Sequence, residues 1–314
     1  MKKFFAVFLV LSLVAACSSA FIIPDPVPGG GNKANPEAQE PEPPVEEPEQ
    51  KPGLAADGND AETYALILSK GYNYETPDNS GAHAAEPFRH IRQSYDKTLK
   101  KYVFDFYLHI DNDDDRGKAD VTDRQRNEIK TDGHSPDSLV AQYGETLKMT
   151  WKFCLPAGMK TTTKFSHIHQ LKGLDNKDGN ADVALPAITF TCRTLSNGKQ
   201  QFQVLYTASK VESDGKSTYL ARADLSEFLG EWVTVSETVN FADNGRYSVI
   251  VTRMRDGKQL AKVDGVELDM WRTGCTGMRP KWGLYRNFGE GRSLASELRD
   301  EILKFADFDI RKLK

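Results

Sequence analysis

Beyond about residue 60, apolar and polar residues alternate with a period of two along much of the chain, and this pattern limits the fold more than any other feature. Tyr102, Phe104, Phe106, Leu108 and Ile110 form one side of a strand, with Val103, Asp105, Tyr107 and His109 opposite. The same reading predicts strands over 147–153, 187–192, 202–206, 232–239, 247–254 and 305–310. Turn signals separate them: Asn197-Gly198, Asp214-Gly215, Asp243-Asn244-Gly245, Asp256-Gly257 and Asp264-Gly265. Asp224 is placed to cap a short helix through Phe228. Many strands with tight turns and no alternating long helices predict an all-β fold, an antiparallel β-sandwich or jelly roll with a few short helices. No second linker or internal repeat interrupts 61–314, so one domain is expected there.

The first 60 residues read differently. Lys2 and Lys3 precede an apolar run, 4–14, too short to span a bilayer, and the run ends in Val14-Ala15-Ala16-Cys17. Small residues before a cysteine suit a bacterial lipoprotein leader, 1–16, cut before a lipid-bearing thiol at Cys17. The protein is then expected to be exported and anchored by lipid to the cell envelope, at the outer membrane. Across 17–60, nine prolines fall among glutamates and a Gly29-Gly30-Gly31 run. That composition buries too little apolar surface to offset chain ordering, which predicts an extended tether. The net charge of −4 is dominated by this acidic stretch and leaves room for a locally basic groove. The chain is expected to act as a monomer, with no nucleic-acid partner.

Past Cys17 the cysteines are Cys154, Cys192 and Cys275, so at most one bridge can form among them. Either Cys154 pairs with Cys192 or all are free thiols, the second reading being favoured. No cysteine or histidine spacing resembles a zinc site, and no metal is expected in the chemistry.

Three segments carry the chemistry. In 123–130, Arg124, Arg126, Glu128 and Lys130 project from one face if the segment is a strand. Cations around one carboxylate make a poor core and a good anion-binding surface, although charge runs are commonly just solvated faces. In 165–172, His167 and His169 lie two apart and would point the same way on a strand, with Gln170 beside them. A histidine near neutrality can move a proton, whereas a metal pair lacks a third ligand nearby. In 279–287, Lys281, Gly283 and Tyr285 share a face, and Gly283 would leave an open patch where a sugar ring could approach.

Together these segments resemble the signature of β-jelly-roll polysaccharide lyases, notably the alginate lyases of polysaccharide lyase family 7. Those enzymes carry Arg-x-Glu-x-Arg, Gln-Ile-His and Lys-Ala-Gly-x-Tyr in that order. Here Arg126-Asn127-Glu128-Ile129-Lys130, His167-Ile168-His169 and Lys281-Trp282-Gly283-Leu284-Tyr285 follow the same order, with lysine and histidine replacing the last Arg and the Gln. The chain is also similar to the heparinase-I-like and glucuronan lyase group. The resemblance implies a concanavalin-like sandwich and β-elimination on a uronic-acid-containing, anionic polysaccharide. It implies that Arg126 and His167 neutralise the substrate carboxylate, that His169 or Tyr285 takes the C5 proton, and that Tyr285 protonates the leaving oxygen. Arg124, Glu128, Lys130, Gln170, Lys281, Trp282 and Arg286 would bind substrate. No cofactor is implied.

Asp111, Asp113 and Asp115 could gather a structural calcium, but the twelve-residue loop pattern for that ion is not completed. Two other functions compete. A carbohydrate-binding lipoprotein without catalysis would use Trp151, Trp271 and Trp282 as stacking platforms. A sandwich glycoside hydrolase would need paired carboxylates, and no Glu-x-Asp-x-x-Glu strand is present.

Overall fold

The alternation in the sequence becomes two antiparallel sheets. The computed structural model describes residues 53–78, 81–118, 120–209 and 215–314, so the leader, Cys17, most of the tether and Asp214 lie outside the described residues. The strands are β1 (Asn73–Glu75), β2 (Ile91–Asp96), β3 (Lys101–Leu108), β4 (Arg124–Lys130), β5 (Thr146–Cys154), β6 (Ser166–Leu174) and β7 (Ile188–Thr194). They continue as β8 (Gln200–Thr207), β9 (Ser217–Asp224), β10 (Trp232–Asn240), β11 (Gly245–Arg253), β12 (Gln259–Leu268), β13 (Gly277–Asn287) and β14 (Glu301–Leu313). One sheet of seven strands runs β1-β4-β13-β6-β7-β8-β9 and the other, also of seven, runs β12-β11-β10-β5-β14-β3-β2.

The inner faces supply the core. Phe153 from the second sheet stacks on Phe202 from the first and on Phe228, and Trp151 meets Phe190 and Trp282. All of these side chains are essentially buried, so apolar area holds the layers together. The one α-helix among the described residues, α1 (Thr63–Ser69), buries Ile67. Asp224 caps a single 3₁₀ turn, Leu225–Glu227, by accepting from the Ser226 N–H, and Phe228 closes it.

Two local expectations change, and the alternative left open for the cysteines is decided. Asp264-Gly265 is a bulge inside β12 and not a turn: pairing slips between Tyr247 and Val249, and the Gly265 N–H donates to Ser248 Oγ at 2.9 Å. Cys154, Cys192 and Cys275 are free thiols, and burial pushes Cys192 up to about 12. The fold also begins before residue 61. Leu54, assigned by composition to the tether, is fully buried and exchanges backbone hydrogen bonds of 2.8 and 3.0 Å with Phe308. The proline-rich composition stops at Pro52, and one apolar residue after it is enough to join β14.

Leu54→Ala is expected to destabilise the folded chain by about 2–5 kcal/mol, the range for truncating a buried leucine. Urea unfolding measures this, and an unchanged midpoint would place Leu54 outside the core.

Candidate active site

Because side chains alternate across a strand, β4 presents Gln125, Asn127 and Ile129 inward and Arg124, Arg126, Glu128 and Lys130 outward. The inward amide nitrogens are satisfied: Asn127 Nδ2 donates to the carbonyls of His90 and Tyr107, and Gln125 Nε2 to those of His109 and Asp113, while Asn127 Oδ1 is buried without a partner. Tyr285 lies opposite Arg126 and Lys281 opposite Lys130 on β13, so the expected cations and the tyrosine meet on one face.

That face is a charge network more than a solvated surface. Lys281 Nζ donates to Glu128 at 2.7 Å and to Glu75 at 2.5 Å. Arg126 reaches Glu128 at 3.1 Å, Glu75 at 3.1 Å and Asp115 at 2.8 Å. Lys130 and Arg116 also donate to Glu75, and Gln170 donates to Glu128. Burial alone would raise both glutamates. Lys281 and Arg126 override it at each, with Lys130 and Arg116 adding at Glu75, and hold both below the usual carboxylate range. Glu75 carries no sequence signal, since β1 is only three residues long and its motif-less carboxylate acquires meaning by pairing with Glu128 across β4.

The two histidines of β6 do not share a face. A bulge between His167 and His169 adds one residue against β7 and sends them to opposite sides of the sheet. His169 is fully buried in the core, 4.5 Å from the Trp151 ring and 5.6 Å from that of Trp282. Its Nδ1 hydrogen-bonds the Lys281 carbonyl at 2.9 Å, and its Nε2 meets Glu237 at 3.0 Å. A carbonyl only accepts, so Nδ1 carries a proton. Tyr247 Oη donates to the other Glu237 oxygen at 2.7 Å. His169 is therefore a buried pin between sheets and cannot meet substrate beside Tyr285.

His167 takes the outward place. Its ring stacks on Phe165 at 4.3 Å and lies 6.1 Å from that of Tyr285. Burial, with help from Arg193 and Arg126, pulls its pKa down to about 3, so the imidazole is neutral at neutral pH. Its Nδ1 is buried without a hydrogen-bond partner. Arg124 Nη1 donates to Tyr285 Oη at 2.9 Å, and the Arg126 guanidinium lies 3.7 Å from the centre of the Tyr285 ring.

The remaining expected contacts divide. Gln170 and Lys130 face the network, but Trp282 is fully buried in the core and Arg286 is fully buried against Gln125 Oε1 and the Arg299 carbonyl. Neither can contact a sugar. Trp151 is buried too, which removes two of the three stacking platforms proposed for a binding module. Gly283 leaves no open patch: a Cβ there would fall 2.1 Å from the Asn127 carbonyl oxygen, and φ is +147°. The glycine lets β13 approach β4 closely. Cations not matched by a carboxylate continue along the face, with Arg279 and Arg193 each holding buried N–H groups that lack a partner. Lys172 is lowered to about 8 by burial and by Lys281, Arg126 and Arg279.

The aspartates read as a calcium loop also separate. Asp115 binds Arg126 and Arg116, Asp111 is exposed, and Asp113 is buried among His83, His90 and His109.

Two outcomes follow. His169→Ala leaves Glu237 buried with one partner fewer and is expected to cost about 3–5 kcal/mol of stability; an unaltered urea midpoint would contradict the pin. For His167, the folded pKa lies below the ordinary 6.5, so its contribution is fully present above about pH 6.5 and lost as pH falls toward 3. His167→Gln should therefore lose stability less steeply than the parent between about pH 7 and pH 4. Parallel Tm–pH curves would show that His167 titrates normally.

No protein-family model matches the chain, and no curated protein matches it by sequence. Solved structures do. An alginate lyase, AlyC3, superposes with a TM-score of 0.51 at 13% identity, covering 84% of this chain and 96% of that one. A marine alginate lyase of family PL-14 from Aplysia kurodai gives 0.50 at 13% identity, covering 83% and 98%. At that identity the likeness is one of fold, and the chain is a β-jelly-roll sandwich of the architecture seen in those two lyases.

Proposed function

We propose that this chain is a polysaccharide lyase that cleaves a uronic-acid-containing polymer by β-elimination. The observation that carries the reading is a neutral His167 whose ring lies 6.1 Å from that of Tyr285, on a face where Arg124 and Arg126 contact the tyrosine. The fold similarity to two alginate lyases is consistent with it.

The reaction needs a base for the C5 proton, an acid for the leaving oxygen, and positive charge for the carboxylate whose enolate-like form develops between them. His167 takes the C5 proton, the freed electron pair forms the C4=C5 bond, and the C4–O bond breaks. Tyr285 gives its proton to the departing oxygen and is reprotonated from His167 through solvent. Arg124 and Arg126 contact Tyr285, and Arg126 and Arg193 act electrostatically on His167, so these three cations supply the positive charge beside this chemistry. Arg279 and Lys172 extend the basic track for neighbouring uronates. On this reading the lipid anchor expected at Cys17 holds the enzyme at the cell envelope, where such polymers are met.

A glycoside hydrolase requires a carboxylic acid that keeps its proton. Glu75 and Glu128 are held ionised by their lysine and arginine partners, which argues against that role.

The test is ultraviolet absorbance of unsaturated uronate products across a panel of alginate, glucuronan, heparin-like and ulvan-type polymers. The parent should yield such products from at least one. Tyr285→Phe keeps the ring and should lower kcat by about 10²–10⁴ with KM changed far less. A Tyr285→Phe enzyme at the parental rate would remove the phenol from the mechanism. Binding without any unsaturated product would make the chain a carbohydrate-binding module.

A further inference from the structure

Three histidines and an aspartate converge at the other end of the loop that carries Asp115. His83 sits in a 3₁₀ turn, Gly81–Ala84, His90 immediately precedes β2, and His109 and Asp113 follow β3. One ligand atom from each lies within 4.8 Å of all the others. Asp113 Oδ1 is 2.9 Å from His83 Nε2 and 2.9 Å from His90 Nε2, while His109 Nδ1 stands 3.3 Å from Oδ2. That His109 nitrogen is buried and makes no hydrogen bond. Phe88 packs against all three imidazoles and keeps the group dry on that side.

We propose that His83, His90, His109 and Asp113 form a closed, structural site for one divalent transition-metal ion of the zinc class. Imidazole nitrogens with a single carboxylate are the donors zinc prefers, whereas calcium takes oxygen donors throughout. The surroundings orient one ligand as metal sites do. His90 Nδ1 lies 2.9 Å from Asp78 Oδ1, which can only accept, so Nδ1 carries a proton and the ring is oriented with Nε2 inward; an ion would displace the proton that Nε2 shares with Asp113 Oδ1 at 2.9 Å. Asp78 is itself held by the backbone N–H of His90 at 3.0 Å and by the Tyr64 hydroxyl. In a tetrahedral zinc site neighbouring donor atoms stand roughly 3.3 Å apart, a figure that follows from bond lengths near 2.0–2.1 Å. The Asp113 contacts span 2.9 to 3.3 Å and the ligand atoms all lie within 4.8 Å, so an ion would open the two shortest contacts slightly and draw the wider pairs in.

With four protein ligands no position is left for substrate, and the ion would act as a brace. It would tie the segment before β2 to the 109–117 loop. That loop delivers Asp115 to Arg126 Nε at 2.8 Å and receives the Arg126 N–H at the Asp114 carbonyl.

The experiment uses the full chain purified without a polyhistidine tag and stripped with a chelator. Zn²⁺ is titrated against a chromogenic competitor, and Co²⁺ loading is followed by visible absorbance. The expected result is a single tight equivalent, the intense d–d bands of four-coordinate Co²⁺, and a Tm that falls on stripping and returns with Zn²⁺. His83→Ala should abolish tight binding while circular dichroism stays parental. Asp78→Asn should weaken binding about 10- to 100-fold, as loss of an orienting carboxylate does. A parent that binds no Zn²⁺ tightly would overturn the proposal, as would a His83→Ala chain that binds it as tightly as the parent. Neither result bears on whether the chain is a lyase, because the cluster lies outside the His167–Tyr285 site.

Discussion

A carboxylate with 1% of its surface exposed persists in a sheet only where cations and donors surround it, and Glu128 meets Lys281, Arg126 and Gln170 at once. Removing one partner from such a buried group typically costs about 3–5 kcal/mol, a large share of a domain's stability. The requirement fixes more than one side chain. Lys281 must sit beside β4, so β13 must lie close to it, and Gly283 is the residue that permits this approach. Tyr285 then falls opposite Arg126.

The other side of the same strands is held by different physics. His169, Glu237 and Tyr247 form a hydrogen-bonded chain through an otherwise apolar core, and the chain ends on the Lys281 carbonyl. The backbone at Lys281 is thus held from inside while its ammonium is held from outside. On the proposed lyase reading such a site is pre-organised, since the ring and the cations are fixed by the protein before a uronate arrives.

Period-two alternation made most of the sandwich legible, because one face of each long strand packs on the opposite sheet. The four edge strands escaped: β1 has only three residues, and β2, β9 and β12 bury too few side chains for alternation to stand out. The outward row Arg124, Arg126, Glu128 and Lys130 was legible for the same reason of alternation. The placement of His169 was not. Alternation assumes an unbroken pleat, and the bulge after His167 reverses the faces beyond it. Trp282 and Arg286 followed a motif frame that says nothing of depth, and both went to the interior. The imidazole cluster had no spacing to read, because residues 83, 90, 109 and 113 meet only once two loops fold against each other.

Glu75 compensates Lys281, Arg126, Lys130 and Arg116 from a three-residue edge strand. Such sharing makes the effects of change at these positions depend on one another, because residues in one ionic network do not contribute additively. Losing the carboxylate would leave several buried cations in mutual repulsion, whereas losing it together with one of those cations would restore part of the balance. The edge strand and the two strands next to it therefore drift as a linked block, and a route from this site to one of different charge passes through paired substitutions.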